Sequence, residues 1–376
     1  MKAFPEKLSK KLEDRNNNNA LRSLQIIPKG IDFISNDYLG FSSKKTIHQR
    51  ALHYLEDTNN TNGSTGSRLI SGTHPIHEEV ERELANFHNA EAALLYNSGY
   101  DANLGLFTAI LEKGTTVIYD ELIHASIRDG IRASNARSLK FKHNDLDDLQ
   151  QKISKSEAPV FIAVEAVYSM DGDQAALKEI CKISNNNNCY LIVDEAHSNG
   201  VFGPNGTGLL QALKLEDQAF ARVHTFGKAL GCHGAVVLGG KNLRDYLVNF
   251  SRPFIYTTAA SLHSIAVVKS AYFELQTTAA IDELKKNIQY FRRSIQEKKL
   301  HELFIDSHSP IQCCLLSGNS NVKKVADALN TQKLLAKAVL APTVPQGQER
   351  LRICLHSYNT FEEIDSLLTQ LAIFVN

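Results

Sequence analysis

The chain has 376 residues and carries 41 Lys and Arg against 41 Asp and Glu, so it presents no net field that would draw nucleic acid or an anionic membrane. A hydrophobic content of 43% with 22% charged residues argues against disorder and for a globular protein, long enough for a large domain and a smaller one. No apolar run reaches the roughly eighteen residues of a membrane span, and the first residues alternate charge with apolar side chains, unlike a secretory leader, so a cytoplasmic protein is expected.

In chain order, Phe4 to Arg15 places Leu8 and Leu12 four apart among charges, the spacing of an amphipathic helix. The asparagine runs Asn16–Asn19 and Asn185–Asn188 propagate a helix poorly and are expected as exposed turns. Ile31–Ile34 reads as a short strand leading into the turn-rich Ser35–Ser42. A Gly- and Ser-rich segment, NGSTGSRLISGT over Asn62–Thr73, precedes an apolar ladder at Ile76, Val80, Leu84 and Phe87; with Pro75 near its first turn, this predicts a helix. Ala92–Tyr96 is a predicted strand that turns through Ser98-Gly99-Tyr100 into a helix running through Leu111. Such a turn offers backbone N–H groups and the positive end of a helix dipole to a phosphate.

A strand over Thr116–Tyr119 ends in Asp120, and the following ELIHASIRDG puts His124 at a helix start. Lys140–His143 and Asp145–Ile153 are expected as strand and helix, and Pro159–Val164 as a strand apolar on both faces that ends in EAVYSMDGD. Helix Leu177–Ser184 leads to a second run apolar on both faces, Tyr190–Val193, which stops abruptly at Asp194, Glu195, Ala196 and His197. Runs of this kind fit strands buried in a parallel sheet, and ionisable groups at their carboxyl ends lie where open α/β sheets bind ligands. Thr225-Phe226-Gly227-Lys228-Ala229-Leu230-Gly231 then sets a lysine among small residues ahead of the apolar Ala235–Leu238. An acid at a strand end and a lysine between glycines are what pyridoxal phosphate (PLP) chemistry requires: the lysine forms a Schiff base, and the acid keeps the pyridine nitrogen protonated.

Past the lysine, Leu243–Phe250 is predicted helical and Phe254–Thr258 extended. Helices at Ser264–Leu275 and Ile281–Glu297 lead into strands near Ile311–Leu315, Ala336–Leu340 and Leu351–Leu355, with a last helix from Phe361. The expected architecture is α/β, a mostly parallel central sheet covered by helices plus a smaller α+β C-terminal domain, divided as an entry segment over 1–45, a large domain over 46–260 and the small one over 261–376. Arg352 alternates with Leu351 and Ile353 in its strand, and its planar fork suits a carboxylate. The six cysteines show no CxxC pair or zinc spacing, so buried free thiols and no metal site are expected.

Taken together, DEAH, HTFGKALG, GAVVLGG, GSTGSRLISGT, SGYDAN, EAVYSMDGD and PTVP resemble the α-oxoamine synthases, a family of fold-type I PLP enzymes, and the resemblance runs from Ala20 to the end. It implies that Lys228 carries PLP, Asp194 pairs with the pyridine nitrogen, His197 and Ser169 face the phenolic oxygen, and His124 stacks on the ring. It assigns the phosphate to Ser98, Gly99 and Tyr100, adds Thr225 to the cofactor site, and gives Thr257 and Thr258 to the phosphate held by the other subunit of a homodimer. Arg352 is implied for the amino-acid carboxylate and Arg22 for the substrate acid. The branch most similar makes 8-amino-7-oxononanoate from L-alanine and a pimeloyl thioester, carried by coenzyme A or a carrier protein, in biotin biosynthesis. Glycine C-acetyltransferase is the alternative, and a non-catalytic subunit, an aldolase or a nicotinamide dehydrogenase fits less well. Ser357 and Asn359 in HSYN, and Leu340-Ala341 before PTVP, depart from the usual pattern and leave acyl-chain selection open.

Overall fold

A computed structural model describes residues 2, 4–56, 58, 61–157 and 159–375. Its strands are β1 (Ile31–Asp32), β2 (Ala92–Tyr96), β3 (Thr116–Asp120), β4 (Arg137–Phe141), β5 (Val160–Glu165), β6 (Tyr190–Asp194), β7 (Ala221–Thr225), β8 (Ala235–Gly239), β9 (Ile311–Leu315), β10 (Leu334–Leu335), β11 (Lys337–Val339) and β12 (Arg350–Cys354). The helices that matter below are α1 (Glu6–Asn17), α2 (Lys45–Glu56), α3 (Pro75–Phe87), α4 (Gly99–Ile110), α5 (Ala125–Ala133) and α6 (Leu177–Asn186). Two compact units result, a larger one of Asn36–Ser169 and Gln174–Asp282 and a smaller one of Met1–Ser35, Met170–Asp173 and Glu283–Asn376.

The larger unit is built on a sheet of order β2-β8-β7-β6-β5-β3-β4. Its strands run parallel except β8, which lies antiparallel to both β2 and β7. The pleat explains why β5 and β6 read as unbroken apolar runs. Phe161 and Ile192 enter the core on one face with Leu106, Phe107 and Val237, while their neighbours Ile162 and Val193 enter the other with Leu149, Ile180 and Leu210. Helices cover both faces, and each fully buried Leu, Ile or Phe contributes roughly 1.5–3 kcal/mol. In the smaller unit, β11, β12 and β9 form an antiparallel sheet and β1 pairs parallel with β10.

Several elements differ from the sequence reading. Helix α1 runs into the first asparagine run and α6 into the second, and each ends with its last asparagine, Asn19 or Asn188, in the left-handed region. Asparagine tolerates that conformation, so the runs terminate helices. The fourth strand lies at Arg137–Phe141, ahead of the expected Lys140–His143, because Lys142 N–H donates to Asp148 and His143 to the Asp120 carboxylate, which begins a turn. Phe254 and Ile255, expected extended, close a short helical turn at Arg252–Ile255, where Pro253 occupies the first turn and the Ser251 carbonyl accepts from both N–H groups. Strand β7 escaped the reading because Arg222 and His224 interrupt its apolar pattern, yet both are buried. Among the described residues no helix is long and apolar enough to cross a membrane.

Candidate active site

The carboxyl ends of β5, β6 and β7 deliver Glu165, Asp194 and Thr225 to one cavity of about 170 Å³ in the larger unit. Gly99 and Tyr100 from the start of α4, His124 and Ser126 from the start of α5, and Lys228 complete most of its wall. This is the end of the sheet where a parallel α/β fold leaves side chains free of the core.

Lys228 sits on the loop joining β7 to β8, and the ladder pairs Thr225 with Ala235 at its base. Within the loop Phe226 N–H donates to the Gly234 carbonyl at 2.9 Å, Cys232 N–H to Phe226 at 2.8 Å and Gly231 N–H to Lys228 at 2.8 Å. Gly231 has φ +59, and a Cβ there would lie 2.2 Å from the Ser42 nitrogen, so glycine is required on both counts. The Lys228 Nζ lies 2.8 Å from His197 Nε2, while His197 Nδ1 lies 2.8 Å from the Tyr38 hydroxyl. The Tyr38 hydroxyl also lies 3.1 Å from Asn36 Oδ1, so His197 is held between the tyrosine and the amine.

Asp194 is buried and held at both oxygens: Oδ1 accepts from Ala196 N–H at 2.9 Å and Oδ2 from Asn103 Nδ2 at 2.7 Å. Glu165 is different. Burial, then the nearby Asp194 charge, push its carboxyl well above the usual range, although the backbone N–H groups of Ser169 and His124 donate to it. His124 caps α5 through Nδ1, and burial holds its pKa below the ordinary 6.5, with Asp194 opposing and Lys228 reinforcing the shift.

Ser98 caps α4, its hydroxyl accepting from Asp101 N–H and donating to Asp101 Oδ2, so the N–H groups of the first turn are what this helix can offer an anion. A Cβ on Gly99 would sit 3.3 Å from Thr225 Oγ1, a tight contact that the threonine side chain would have to relieve by a few tenths of an ångström. The Tyr100 hydroxyl is turned to Asp129 at 2.6 Å. Thr257 and Thr258 are tied down by Asn97, whose Nδ2 donates to Thr257 Oγ1 at 3.2 Å and to the Thr258 carbonyl at 2.9 Å. Ser169, buried, follows Glu165 by one turn of chain.

The remaining two candidates belong to the smaller unit. Arg352 lies in β12, largely buried, with Nη1 donating to Cys354 Sγ at 2.9 Å. Arg22 is exposed and donates to Thr343 Oγ1 at 3.2 Å. Two residues before Arg352, Arg350 is wholly enclosed and paired with Asp171, a structural role the sequence reading passed over. Asn103, Ser126 and Tyr38 were also passed over. Asn103 stands one helical turn after Gly99 and so shares its face, the signal that would have found it.

On the far side of the same strand ends is a second polar group. Glu195, directly after Asp194, accepts from the N–H groups of Leu209 and Leu210 and the Ser198 hydroxyl, and reaches within 3.2 Å of His224 Nε2. The His88 ring is tilted by 51° to the His224 ring with centroids 4.3 Å apart, and it lies 3.0 Å from the Thr207 carbonyl through Nδ1 and 2.8 Å from the Tyr272 hydroxyl through Nε2. Glu195, His224 and His88 are fully enclosed.

An amine beside an imidazole, a carboxylate in the cavity and a helix start able to hold an anion are the donor set PLP needs. Two buried oxygens within the wall, Glu165 Oε1 and Asn103 Oδ1, have no hydrogen-bond partner in the protein, as expected of a cavity shaped for a polar molecule. The sequence matches the family "Aminotransferase class I and II" over residues 28–371. The chain belongs to that family. Within it, 8-amino-7-oxononanoate synthase of Emericella nidulans is 40% identical, with 99% of this chain and 96% of that protein covered. The 8-amino-7-oxononanoate synthase structure from Francisella tularensis matches at TM-score 0.80 and 31% identity, over 92% of this chain and 97% of that one. Serine palmitoyltransferase from S. paucimobilis, solved with a PLP–myriocin adduct, matches at TM-score 0.88 and 26% identity over 98% and 96%. This family member is therefore an α-oxoamine synthase, a PLP-dependent acyltransferase on the fold-type I scaffold.

Proposed function

We propose that the enzyme condenses L-alanine with a pimeloyl thioester, with loss of carbon dioxide and the carrier thiol, to give 8-amino-7-oxononanoate. The observation that carries this reading is the Lys228 amine set 2.8 Å from His197 in the Asp194 cavity, in a chain 40% identical along nearly its whole length to a synthase of that name. Bound PLP supplies an electron sink for the amino-acid Cα. Lys228 holds the cofactor and, once released, moves the proton at that carbon through Nζ. His197 would orient the amine through Nε2, and Asp194 would hold the proton on the pyridine nitrogen. His124 would cover the ring face, Ser169 and His197 would face the phenolic oxygen, and the first turn of α4 with Thr225 would take the phosphate. A second copy of the chain supplies Thr257 and Thr258, which makes the working unit a homodimer. Arg352 receives the amino-acid carboxylate as a planar fork and Arg22 the distal acid of the acyl chain.

The test is product analysis with L-alanine, glycine and L-serine, each against pimeloyl, acetyl and palmitoyl thioesters. Thiol release and 8-amino-7-oxononanoate only with L-alanine and the pimeloyl thioester are the expected result. Preference for glycine with the acetyl thioester would replace this reading by glycine C-acetyltransferase, and preference for L-serine with palmitoyl thioester would move it to a sphingoid-base branch.

A further inference from the structure

Inside the cofactor cavity a hydrogen-bonded chain joins two of the site residues. Asn103 Nδ2 donates to Asp194 Oδ2 at 2.7 Å and to Ser126 Oγ at 3.0 Å, and Ser126 Oγ lies 2.7 Å from His124 Nδ1. Asn103 and Ser126 are both buried. The amide has one permissible orientation, because turning it over would bring Oδ1 against the Asp194 carboxylate, two acceptors with no proton between them. Ser126 Oγ therefore accepts from Asn103, and its single hydroxyl proton is left for His124. The Ser126 backbone N–H points at the same ring nitrogen from 3.2 Å. Nδ1 of His124 must be an acceptor, which places the ring proton on Nε2.

We propose that Asn103 and Ser126 are positioning residues that tie the Asp194 carboxylate to the His124 ring and lock that imidazole in its neutral Nε2–H form. The chemical gain is the charge balance of the cavity. A neutral ring can lie flat on a protonated pyridine, whereas an imidazolium would set a second cation against it and beside Lys228. The groups facing His124 divide accordingly: Asp194 and Asp129 favour its protonation, Lys228 opposes it, and Glu165 accepts from its backbone N–H. Protonating Nδ1 would direct an N–H at the Ser126 hydroxyl and backbone protons and break the chain, so the geometry acts on the same side as burial. The inference rests on this cavity being the PLP site.

The experiment is nitrogen NMR of the PLP-loaded enzyme carrying isotope-labelled histidine, with the His124 signal assigned by its loss in His124→Asn. Wild-type enzyme is expected to show the neutral Nε2–H pattern at neutral pH. Ser126→Ala should raise the protonation midpoint of His124 and admit the other tautomer, and Ser126→Thr, which keeps the hydroxyl, should restore the wild-type pattern. Asn103→Ala should weaken PLP binding roughly tenfold in an absorbance titration, the effect of one lost bond to a charged group. An imidazolium or an Nδ1–H ring in the wild type would overturn the inference, as would a Ser126→Ala spectrum identical to wild type. Failure of the cavity reading is separately visible, since wild-type protein would then retain no PLP in the same titration.

Discussion

Two polar clusters share the ends of β6 and β7, and they have opposite characters. Asp194 and Thr225 turn into the cofactor cavity, whereas their immediate neighbours Glu195 and His224 turn the other way, into the enclosed group with His88 and Tyr272. The first cluster keeps two buried oxygens without a protein partner and an amine within reach of an imidazole. The second is enclosed around an ion pair: Glu195 is bound by two backbone N–H groups and a hydroxyl and lies 3.2 Å from His224 Nε2, and His88 bonds through both ring nitrogens. Adjacent residues in one short motif therefore line a cavity on one side and an enclosed polar group on the other. Neither burial nor an incomplete hydrogen-bond set distinguishes them, because Glu195 Oε2 and both His224 ring nitrogens also lack a hydrogen-bond partner; the cavity and the amine that faces it do.

The largest expected effect falls on the open side. Lys228→Ala should lower turnover by more than about a thousandfold, and reduction with borohydride should leave no PLP mass on the denatured chain. A variant that still turned over would remove the lysine from the chemistry and with it the contrast.

Next comes the exchange of neighbours. Glu195→Ala strands His224 and the backbone donors in the interior and should cost about 3–5 kcal/mol of stability in denaturant unfolding. Asp194→Ala should instead leave the unfolding midpoint of the PLP-free chain near wild type while lowering turnover by roughly a hundredfold or more. Equal losses of stability in the two would mean that the clusters are one network.

A pH dependence follows from the closed side and its surroundings. Burial, then the His224 and Arg222 charges, hold His88 well below the ordinary 6.5, and burial with Arg68 takes His77 down to about 4. Each therefore binds a proton in the unfolded chain before it does so in the native one. Their stabilisation is complete above pH 6.5 and is lost as pH falls, for His77 down to about 4. Glu195, whose carboxyl is lowered despite burial because His224 and backbone donors hold its charge, adds its own loss only in the carboxylate range. Calorimetry across this window should show a falling thermal midpoint, and His77→Gln should flatten the part nearest neutrality.

The smallest effect is expected at Tyr100. Its hydroxyl faces Asp129 and only its backbone belongs to the start of α4, so Tyr100→Phe should change PLP affinity by no more than roughly twofold. A large loss would mean that the hydroxyl itself serves the cofactor.

Much of this was legible in the sequence where chemistry and periodicity coincide locally. The runs before Glu165 and Asp194 announced buried strands, and Lys228 stood out among glycines. What could not be read depends on contacts between distant positions. Asn103 and Asp194 are 91 residues apart and meet only because the start of α4 comes to the carboxyl end of β6. Strand β7 was hidden because a buried arginine and histidine look polar until their partners are known. Arg350 and Arg352 are indistinguishable as letters, and only packing separates the one enclosed with Asp171 from the one beside Cys354.

The loop that bears Lys228 is fastened at both ends by the antiparallel pairing of β7 with β8 and knotted within by its own backbone bonds. Its amine can therefore travel only as far as the lysine's flexible four-carbon stem allows. A change of acyl or amino-acid preference on this scaffold is free to alter the walls around the Lys228 amine, because that nitrogen is anchored to the sheet.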